Sequence, residues 1–322
     1  MRRVVWAVLT GLGVFFIVLA LMFLFYVPGQ AIKAPLNEYT TSTVQGTNMS
    51  YFSATQLQEL TGVTMRATNT VAGDVVAAKT AGASQIAVWK SFTALEDLTN
   101  HQPFQYSSEQ LAFDRTTGVL VNCCGNFIGS DHQLHLSGQG YLWPFNAQKK
   151  SYEVFDTTVL KPVLFRYEGT ATTDGVSTYR FVTQIPNQQI GTQTIPASLV
   201  GMSGNEVTLP EFYTAAKTYY VDPVTGAPLQ VNESQRITLQ DSTGATRLVL
   251  LAGDLASTPA SVRSSTASDQ RYMNEINLLK VIGPIVGIVL GIILLVIGLV
   301  LGRSRTQDGS AEYEEEPVES PA

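Results

Sequence analysis

Two long apolar runs bracket a mostly polar stretch of the chain. Residues 4–27 and residues 281–301 contain no charged side chain. Each run reaches the roughly 20 residues that an α-helix needs to cross about 30 Å of hydrocarbon. The pattern therefore predicts two transmembrane helices, and the residues between them suffice for one large folded domain or two small ones.

Positive charges at the outer ends of the two runs predict the orientation of the protein. An arginine pair precedes the first run, and Arg303 and Arg305 follow the second. Because Lys and Arg concentrate on the cytoplasmic side of a membrane, we expect residues 1–3 and 302–322 to be cytoplasmic and residues 28–280 to be extracytoplasmic. The alternative for the first run is a cleaved signal peptide, but its apolar stretch exceeds the roughly 7–15 residues usual there.

The central region alternates between short apolar or β-branched runs and turn-forming residues, which predicts strands. Asp174-Gly175 suits a tight hairpin. An Asp-x-x-Thr-Gly turn occurs twice, at 114–118 and 222–226, with Asp capping the turn and Gly able to adopt positive φ. We therefore expect a mainly β (α+β) ectodomain, an antiparallel barrel or sandwich with a few short helices. The predicted strands are 85–92, 118–122, 163–167, 177–183, 227–231, 236–240 and 247–251.

Helical signals are few and local in this region. Residues 55–61, 93–98 and 210–217 are predicted as short helices. A longer helical stalk is expected to begin near Ser268, with Asp269 favourable in its first turn, and to continue into the second apolar run.

The amino-acid composition is compatible with an exported domain but does not indicate a specific activity. The formal net charge is −6, and nothing is basic enough to indicate nucleic acid. Part of the acidic excess lies in the segment 302–322, which is predicted to be a disordered cytoplasmic tail because it cannot bury apolar area.

Two adjacent cysteines, Cys123 and Cys124, precede Gly125. Outside the cell they could form a vicinal disulfide, bridge to another chain or remain thiols. Neighbouring Cα atoms lie about 3.8 Å apart, so a vicinal bond would impose a kinked turn, which Gly125 could accommodate.

Glycines in the second apolar run recur at helical spacing. Gly283, Gly287 and Gly291 lie four residues apart, and this interval forms a groove where another helix can approach closely. The partner helix is either the first run of the same chain or a second copy, which would give a homo-oligomer.

Motifs for catalysis, metals and cofactors are missing from the sequence. The only histidines are His101, His132 and His135. The last two are spaced so that they could share a metal on one helical turn, but the glycines on either side of them favour a loop. No nucleophile elbow, metalloprotease helix or phosphate-binding loop is present. The sequence predicts a non-enzymatic protein with no cofactor, no catalytic residue and no metal site.

The segment Gly140-Tyr141-Leu142-Trp143-Pro144-Phe145, followed by residues 149–156, resembles an actinobacterial family of unknown function that is also called PorA-like porins. The two-span layout, the Cys-Cys-Gly element and the turn at 221–226 fit this family as well. The resemblance implies a cell-envelope protein of mycolic-acid-type bacteria, and the porin label implies channel formation.

A second, more distant resemblance is carried by residues 220–226 with Arg236 on a following strand. This segment is similar to part of the class B scavenger receptors, which have two membrane spans and a β-rich ectodomain. That likeness implies a lipid-carrying tunnel, by analogy only.

The favoured functional hypothesis is an ectodomain that binds or transfers an envelope lipid or another hydrophobic ligand next to the bilayer. Trp143, Phe145, Tyr152 and Phe155 are the expected ligand-lining residues, with ordinary core packing as the alternative. A PorA-like channel is the alternative function, and an envelope scaffold or adhesion module is a further one.

Overall fold

The computed structural model describes residues 2–27, 29, 32–82 and 84–303. The predicted disorder of the acidic tail therefore lies almost entirely outside the described residues. Contacts divide the chain into two compact units. One unit contains the two apolar runs, and the other spans Lys33–Met273.

Eleven strands form one antiparallel sheet in the unit Lys33–Met273, which confirms the prediction of a mainly β domain. The strands are β1 (Tyr39–Ser53), β2 (Gln58–Gly73), β3 (Ile86–Asp97), β4 (Gln102–Asp114), β5 (Phe127–Ile128), β6 (Tyr152–Asp156), β7 (Lys161–Thr173), β8 (Val176–Pro196), β9 (Glu206–Val221), β10 (Pro228–Gln240) and β11 (Thr246–Ser257).

Four α-helices accompany the sheet within the described part of the chain. They are α1 (Arg2–Phe25), α2 (Val75–Thr80), α3 (Pro259–Asn277) and α4 (Gly283–Arg303), with a short 3₁₀ helix at Ala197–Val200 and a π-helical turn at Leu278–Ile282 between α3 and α4.

The sheet is a curled meander in which the first and last strands pair with each other. Its order is β5-β4-β3-β2-β1-β11-β10-β9-β8-β7-β6. The β1–β11 pairing includes Val44 opposite Ser257 and Tyr51 opposite Leu251. Sequence neighbours pair everywhere else, so β5 and β6 are the two edges.

Backbone hydrogen bonds also continue between the two edge regions. Leu120 N donates to Gly138 O at 2.9 Å, and Gln139 N donates to Glu153 O at 2.8 Å. Bridges join Phe113 of β4 to Leu120 and Gln139 to Val154 of β6. Two short segments, 118–120 and 138–140, thus connect β4 to β6 at this end of the sheet.

Three predicted short helices are wrong. Residues 93–98 belong mainly to β3 and residues 210–217 to β9, while residues 55–61 form a turn and the start of β2. Pro210, for example, lies opposite Thr192 in the β8–β9 pairing. Ladder pairing and burial on one face of the sheet override the local helical preference of these segments.

The helix that was expected near Ser268 begins at Pro259 instead. Thr258 Oγ1 accepts a hydrogen bond from Ser261 N at 3.2 Å, which is an N-cap contact. Proline is favoured at the first helical position because its missing N–H would have no partner there. The Thr258-Pro259 pair is therefore the start signal, and residues 259–268 belong to the helix as well.

Helices α1 and α4 are long and apolar enough to cross a membrane. They pack against each other through glycines. A Cβ atom built on Gly287 would lie 2.9 Å from Ala20 Cβ, and one built on Gly291 would lie 2.9 Å from the Gly13 carbonyl oxygen. Gly283 meets only the carbonyl of Leu278, from its own chain segment. The groove thus accepts the chain's own first helix at Gly287 and Gly291, and Gly283 is outside it.

We expect Gly291→Ile to loosen this pair of helices. The added side chain would start 2.7 Å from Ile17 Cγ1, and overpacking of this kind costs about 1–3 kcal/mol. The thermal midpoint of the full-length protein in detergent should therefore fall. Gly11→Ile is the matched control, because a Cβ atom there meets nothing within 4 Å. Equal midpoints for the two variants would contradict the glycine contact.

Candidate functional site

Strand β9 places alternate side chains on the buried face of the sheet. Tyr213 is fully buried and Ala215 nearly so, whereas Thr214 and Ala216 are exposed. This alternation is that of a pleated strand with one covered face. Lys217 continues the buried series, so an ammonium group is placed on the inner face of the sheet.

Lys217 lies at the centre of a buried charged cluster. Its Nζ is 2.7 Å from Asp156 Oδ2 and 3.3 Å from Glu233 Oε1. Glu233 also accepts a hydrogen bond from Tyr213 Oη at 2.6 Å. A buried ammonium is tolerated only when it is paired and hydrogen-bonded, and the two carboxylates meet that need.

The pKa values in this cluster follow from burial and from neighbouring charge. Burial opposes the charged form of Lys217, but the carboxylates of Glu233 and Asp156 outweigh it and hold the pKa of Lys217 well above its ordinary value. Burial raises the pKa of Tyr219 to about 12. Lys217 is therefore a fixed positive charge at physiological pH.

The Asp156–Lys217 contact shows that the sheet is curled in the region from β6 to β9. Strands β7 and β8 lie between β6 and β9 in the sheet order. Neighbouring strands are about 4.8 Å apart, so the backbones of β6 and β9 would be about 14 Å apart in a flat sheet. A 2.7 Å contact between their side chains requires that β6 folds over the inner face.

Glu109 of β4 adds a second carboxylate site from the opposite edge region. Burial raises the pKa of Glu109 to about 7; a hydrogen bond from Tyr141 opposes the rise, and the charge of Asp156 adds to it. Glu109 is nevertheless only half-buried by accessible surface. Atoms of the protein therefore crowd this carboxyl, while solvent still reaches part of the side chain.

A side cavity of about 450 Å³ opens next to Glu109. Strand β5 pairs with β4 only at Glu109 and Gln110, so residues 102–108 of β4 pair with β3 on one side but not with β5 on the other. Thr157 and Thr158, which follow β6, line the cavity on the other side. The cavity is thus a lateral gap between the two edge regions of the sheet.

The four aromatic residues predicted to line a ligand site do not lie together in one cavity. Trp143 and Tyr152 pack in one buried apolar cluster, with Phe165 and Phe181. Phe155 belongs to a different cluster, and Phe145 packs at its margin. Trp143 is 2% exposed, and its ring stacks on Phe181 with centroids 5.4 Å apart. Their environment is that of packed core.

Cys123 and Cys124 are joined to each other by a disulfide bond. Cys124 and Gly125 both have positive φ, 67° and 74°, so the chain turns sharply here. The Cys124 carbonyl accepts a hydrogen bond from Gln110 Nε2 at 2.9 Å. This contact ties the turn to β4, close to Glu109. The described residues contain no group of three or more potential metal ligands.

A buried pair of carboxyl groups joins helix α3 to the β9–β10 turn. Asp222 accepts hydrogen bonds from Val224 N at 2.5 Å and Thr225 N at 3.1 Å. Thr225 Oγ1 donates to Asp269 Oδ1 at 2.5 Å. Asp269 Oδ2 is buried and meets no donor within the described part of the chain, so the charged form of this carboxyl is poorly stabilised. Burial, with the charge of Asp222, raises the pKa of Asp269 to about 7.

The comparisons with known proteins agree with this layout of two apolar helices around a β domain. A family model described as Porin PorA matches residues 6–300. The chain belongs to the Porin PorA family. The resemblance to the PorA-like porins that was proposed from the sequence is confirmed, and the match covers most of both apolar helices and the whole sheet.

A curated relative, Porin PorA of Corynebacterium amycolatum, is 28% identical over 115 residues. The alignment covers 28% of this chain and 30% of that relative, so less than a third of the relative's length is matched. The family match and the two helices that are long and apolar enough to cross a membrane both point to a membrane location.

Sequence reasoning missed the charged cluster of this PorA-family protein. Its three charged members lie on three strands between positions 156 and 233, and Glu109 lies on a fourth strand. A signal was nevertheless present in Tyr213-x-x-x-Lys217-x-Tyr219, because a lysine at the phase of buried residues in a strand predicts an internal charge.

Replacing Lys217 by Met should strongly destabilise the protein. The substitution leaves Asp156 and Glu233 buried without a counter-charge, which costs about 3–5 kcal/mol. The free energy of unfolding in detergent, from a urea titration, measures the loss. Lys90→Met is the matched control: Lys90 also pairs with an aspartate, Asp74, but is half-exposed, and we expect at most about 1 kcal/mol there. Similar losses for both variants would refute the central role of Lys217.

The Asp222–Asp269 pair should make stability fall as pH rises. The folded-state pKa of Asp269, about 7, lies above its ordinary value of 3.8. The folded state therefore binds a proton that the unfolded state has lost, and this stabilisation disappears as pH rises through about 7. Asp269→Asn removes the titration, so its thermal midpoint should change less than that of the wild type between about pH 5 and about pH 8.

The control for this experiment is Asp254→Asn, at an exposed side chain of β11. That variant should keep the pH dependence of the wild type. A flat profile in the wild type, or equal profiles for wild type and Asp269→Asn, would mean that the carboxyl pair does not titrate in this range.

Proposed function

We propose that this PorA-family protein forms a channel and that the polar inner face of its curled sheet lines part of the route taken by ions or small solutes. The observation that carries the proposal is the charged cluster of Asp156, Lys217 and Glu233, together with Glu109, on the covered side of the sheet. Charged groups there favour water and ions and penalise an acyl chain.

A closed barrel is the architecture we propose for the unit Lys33–Met273. The segments 118–120 and 138–140 extend the ladder from β4 to β6, and a sheet that is joined through its edges encloses a space. The gap beside Glu109 then gives side access to that space.

The outer face of this sheet does not suit contact with lipid. Strand β7 exposes Arg166 and Glu168, and β10 exposes Ser234 and Arg236. A membrane barrel needs a lipid-facing apolar band about 25 Å tall, which these residues interrupt. We therefore assign the membrane crossing to α1 and α4, with both termini cytoplasmic and the β unit extracytoplasmic, as the flanking arginines favour.

A channel built in this way requires several copies of the chain. Helices α1 and α4 touch through glycines, with a Gly13 carbonyl 2.9 Å from the position of a Cβ on Gly291. Two helices in such contact leave no space between them, so a pore needs helices from other copies. A homo-oligomer is accordingly part of the proposal, and a reporter at either terminus that is reached from outside the cell would contradict the orientation.

The lipid-binding hypothesis is not supported by the findings. The four aromatic residues on which it depended are in packed clusters. The contrasting hypothesis is a scaffold or adhesion module, which would give no ion conductance.

The proposal predicts discrete conductance steps when the purified full-length protein is added to a planar lipid bilayer. Because the pKa of Glu109 is about 7, its side chain changes from neutral to negative as pH rises through 7. Cation conductance should therefore increase from about pH 6 to about pH 8. Glu109→Gln should conduct with a flatter pH profile.

The matched control is Glu168→Gln, which alters an exposed carboxylate on the outer face that pairs with Arg180. It should conduct like the wild type at every pH. If the wild-type protein gives no conductance steps, the channel proposal is refuted. If Glu109→Gln gives conductance steps with the pH dependence of the wild type, the ions do not pass close to Glu109.

A further inference from the structure

The side cavity is lined by two aromatic rings on one face of the sheet and by polar side chains beside them. Phe92 and Tyr106, on neighbouring strands β3 and β4, stack with ring centroids 5.9 Å apart and planes at 16°. Phe92 is 49% exposed and Tyr106 is 59% exposed. Both rings line the cavity, so they present aromatic surface to whatever enters it.

Short polar side chains supply the rest of the lining. The hydroxyl groups of Ser107, Ser108, Thr157 and Thr158, the amide of Gln105 and the carboxyl of Glu109 surround the opening. Apart from Glu109, no described lining residue carries a formal charge at neutral pH. An anionic ligand would meet no counter-charge here. The apolar surface of the two rings and Ile128 is interleaved with polar groups, which a lipid chain would leave without hydrogen-bond partners.

The gap has a structural cause, and it is large enough for a ligand. Gly129 N donates to Ser108 O at 2.8 Å, which holds the β5 region at the margin of the cavity, and the pairing of β4 with β5 stops there. The volume of about 450 Å³ falls within the roughly 300–1,000 Å³ of small-molecule sites.

We propose that this cavity is a binding site for a neutral carbohydrate. The C–H face of a sugar ring packs on the electron-rich face of Tyr106, and the sugar hydroxyls bond to the Ser, Thr and Gln side chains. The carboxyl group of Glu109 can accept a hydrogen bond from a sugar hydroxyl when it is charged and can donate one when it is protonated. Hydroxyl-rich, uncharged ligands match this combination of rings and short polar groups better than ions or lipids do. The inference goes beyond the channel proposal and does not depend on it.

The test is titration calorimetry of the full-length protein with neutral oligosaccharides of glucose, of galactose and of mannose. The protein is kept in a detergent without a sugar headgroup, because such a headgroup would compete for the site. We expect saturable binding of at least one oligosaccharide. Tyr106→Ala should weaken it by about 2- to 12-fold, since a ring contact contributes about 0.5–1.5 kcal/mol.

Two further variants make the result specific. Tyr106→Phe keeps the ring and should retain most of the affinity. Tyr39→Ala removes another exposed tyrosine, on β1 and 76% exposed, and should bind like the wild type. Absence of saturable binding for all three sugars, or equal affinity of Tyr106→Ala and wild type, would overturn the proposal. Conductance measured on the same samples reports separately on the channel.

Discussion

Pairing of the backbone groups at the sheet edges is the constraint on which this structure depends. A curled meander of eleven strands has two edges, and unpaired edge donors and acceptors invite aggregation. Because β1 pairs with β11, the edges fall at β5 and β6, and the segments 118–120 and 138–140 link β4 to β6 through backbone hydrogen bonds. The joining is incomplete beside Glu109, and this one gap produces the cavity on which the carbohydrate proposal rests.

The charged cluster depends on the same curling. Lys217 is held by Asp156 from an edge strand and by Glu233 from its neighbour β10. A buried ion pair adds little net stability compared with apolar packing, but it penalises any arrangement that separates the partners. The cluster has one ammonium group for three nearby carboxyls when Glu109 is included. Burial raises the pKa of Glu109, and the charge of Asp156 adds to the rise.

The sequence predicted features that are set locally and missed those that are set by distant pairing. The Asp174-Gly175 hairpin is confirmed, with Thr173 opposite Val176. So are both Asp-x-x-Thr-Gly turns, since Asp114 and Asp222 accept backbone N–H groups two and three residues ahead. Residues 210–217 were predicted to form a helix because their local composition allows one. They form a strand because they pair with β8 and β10, and these partners lie outside the segment that the local prediction considered. The members of the charged cluster are likewise distant in sequence, so no spacing motif could bring them together.

The lining of an enclosed space decides what can occupy it, and the shape of the fold does not. A tunnel for acyl chains needs continuous apolar walls, and the aromatic residues of this protein that could have provided them are packed into cores on either side. What remains accessible on the inner side is a carboxyl that titrates near pH 7, next to hydroxyl and amide groups. Burying a charge without a partner is costly, whereas water and sugars supply hydrogen bonds to such groups. The same curled architecture that would suit a lipid carrier is, with this lining, suited to water-soluble cargo.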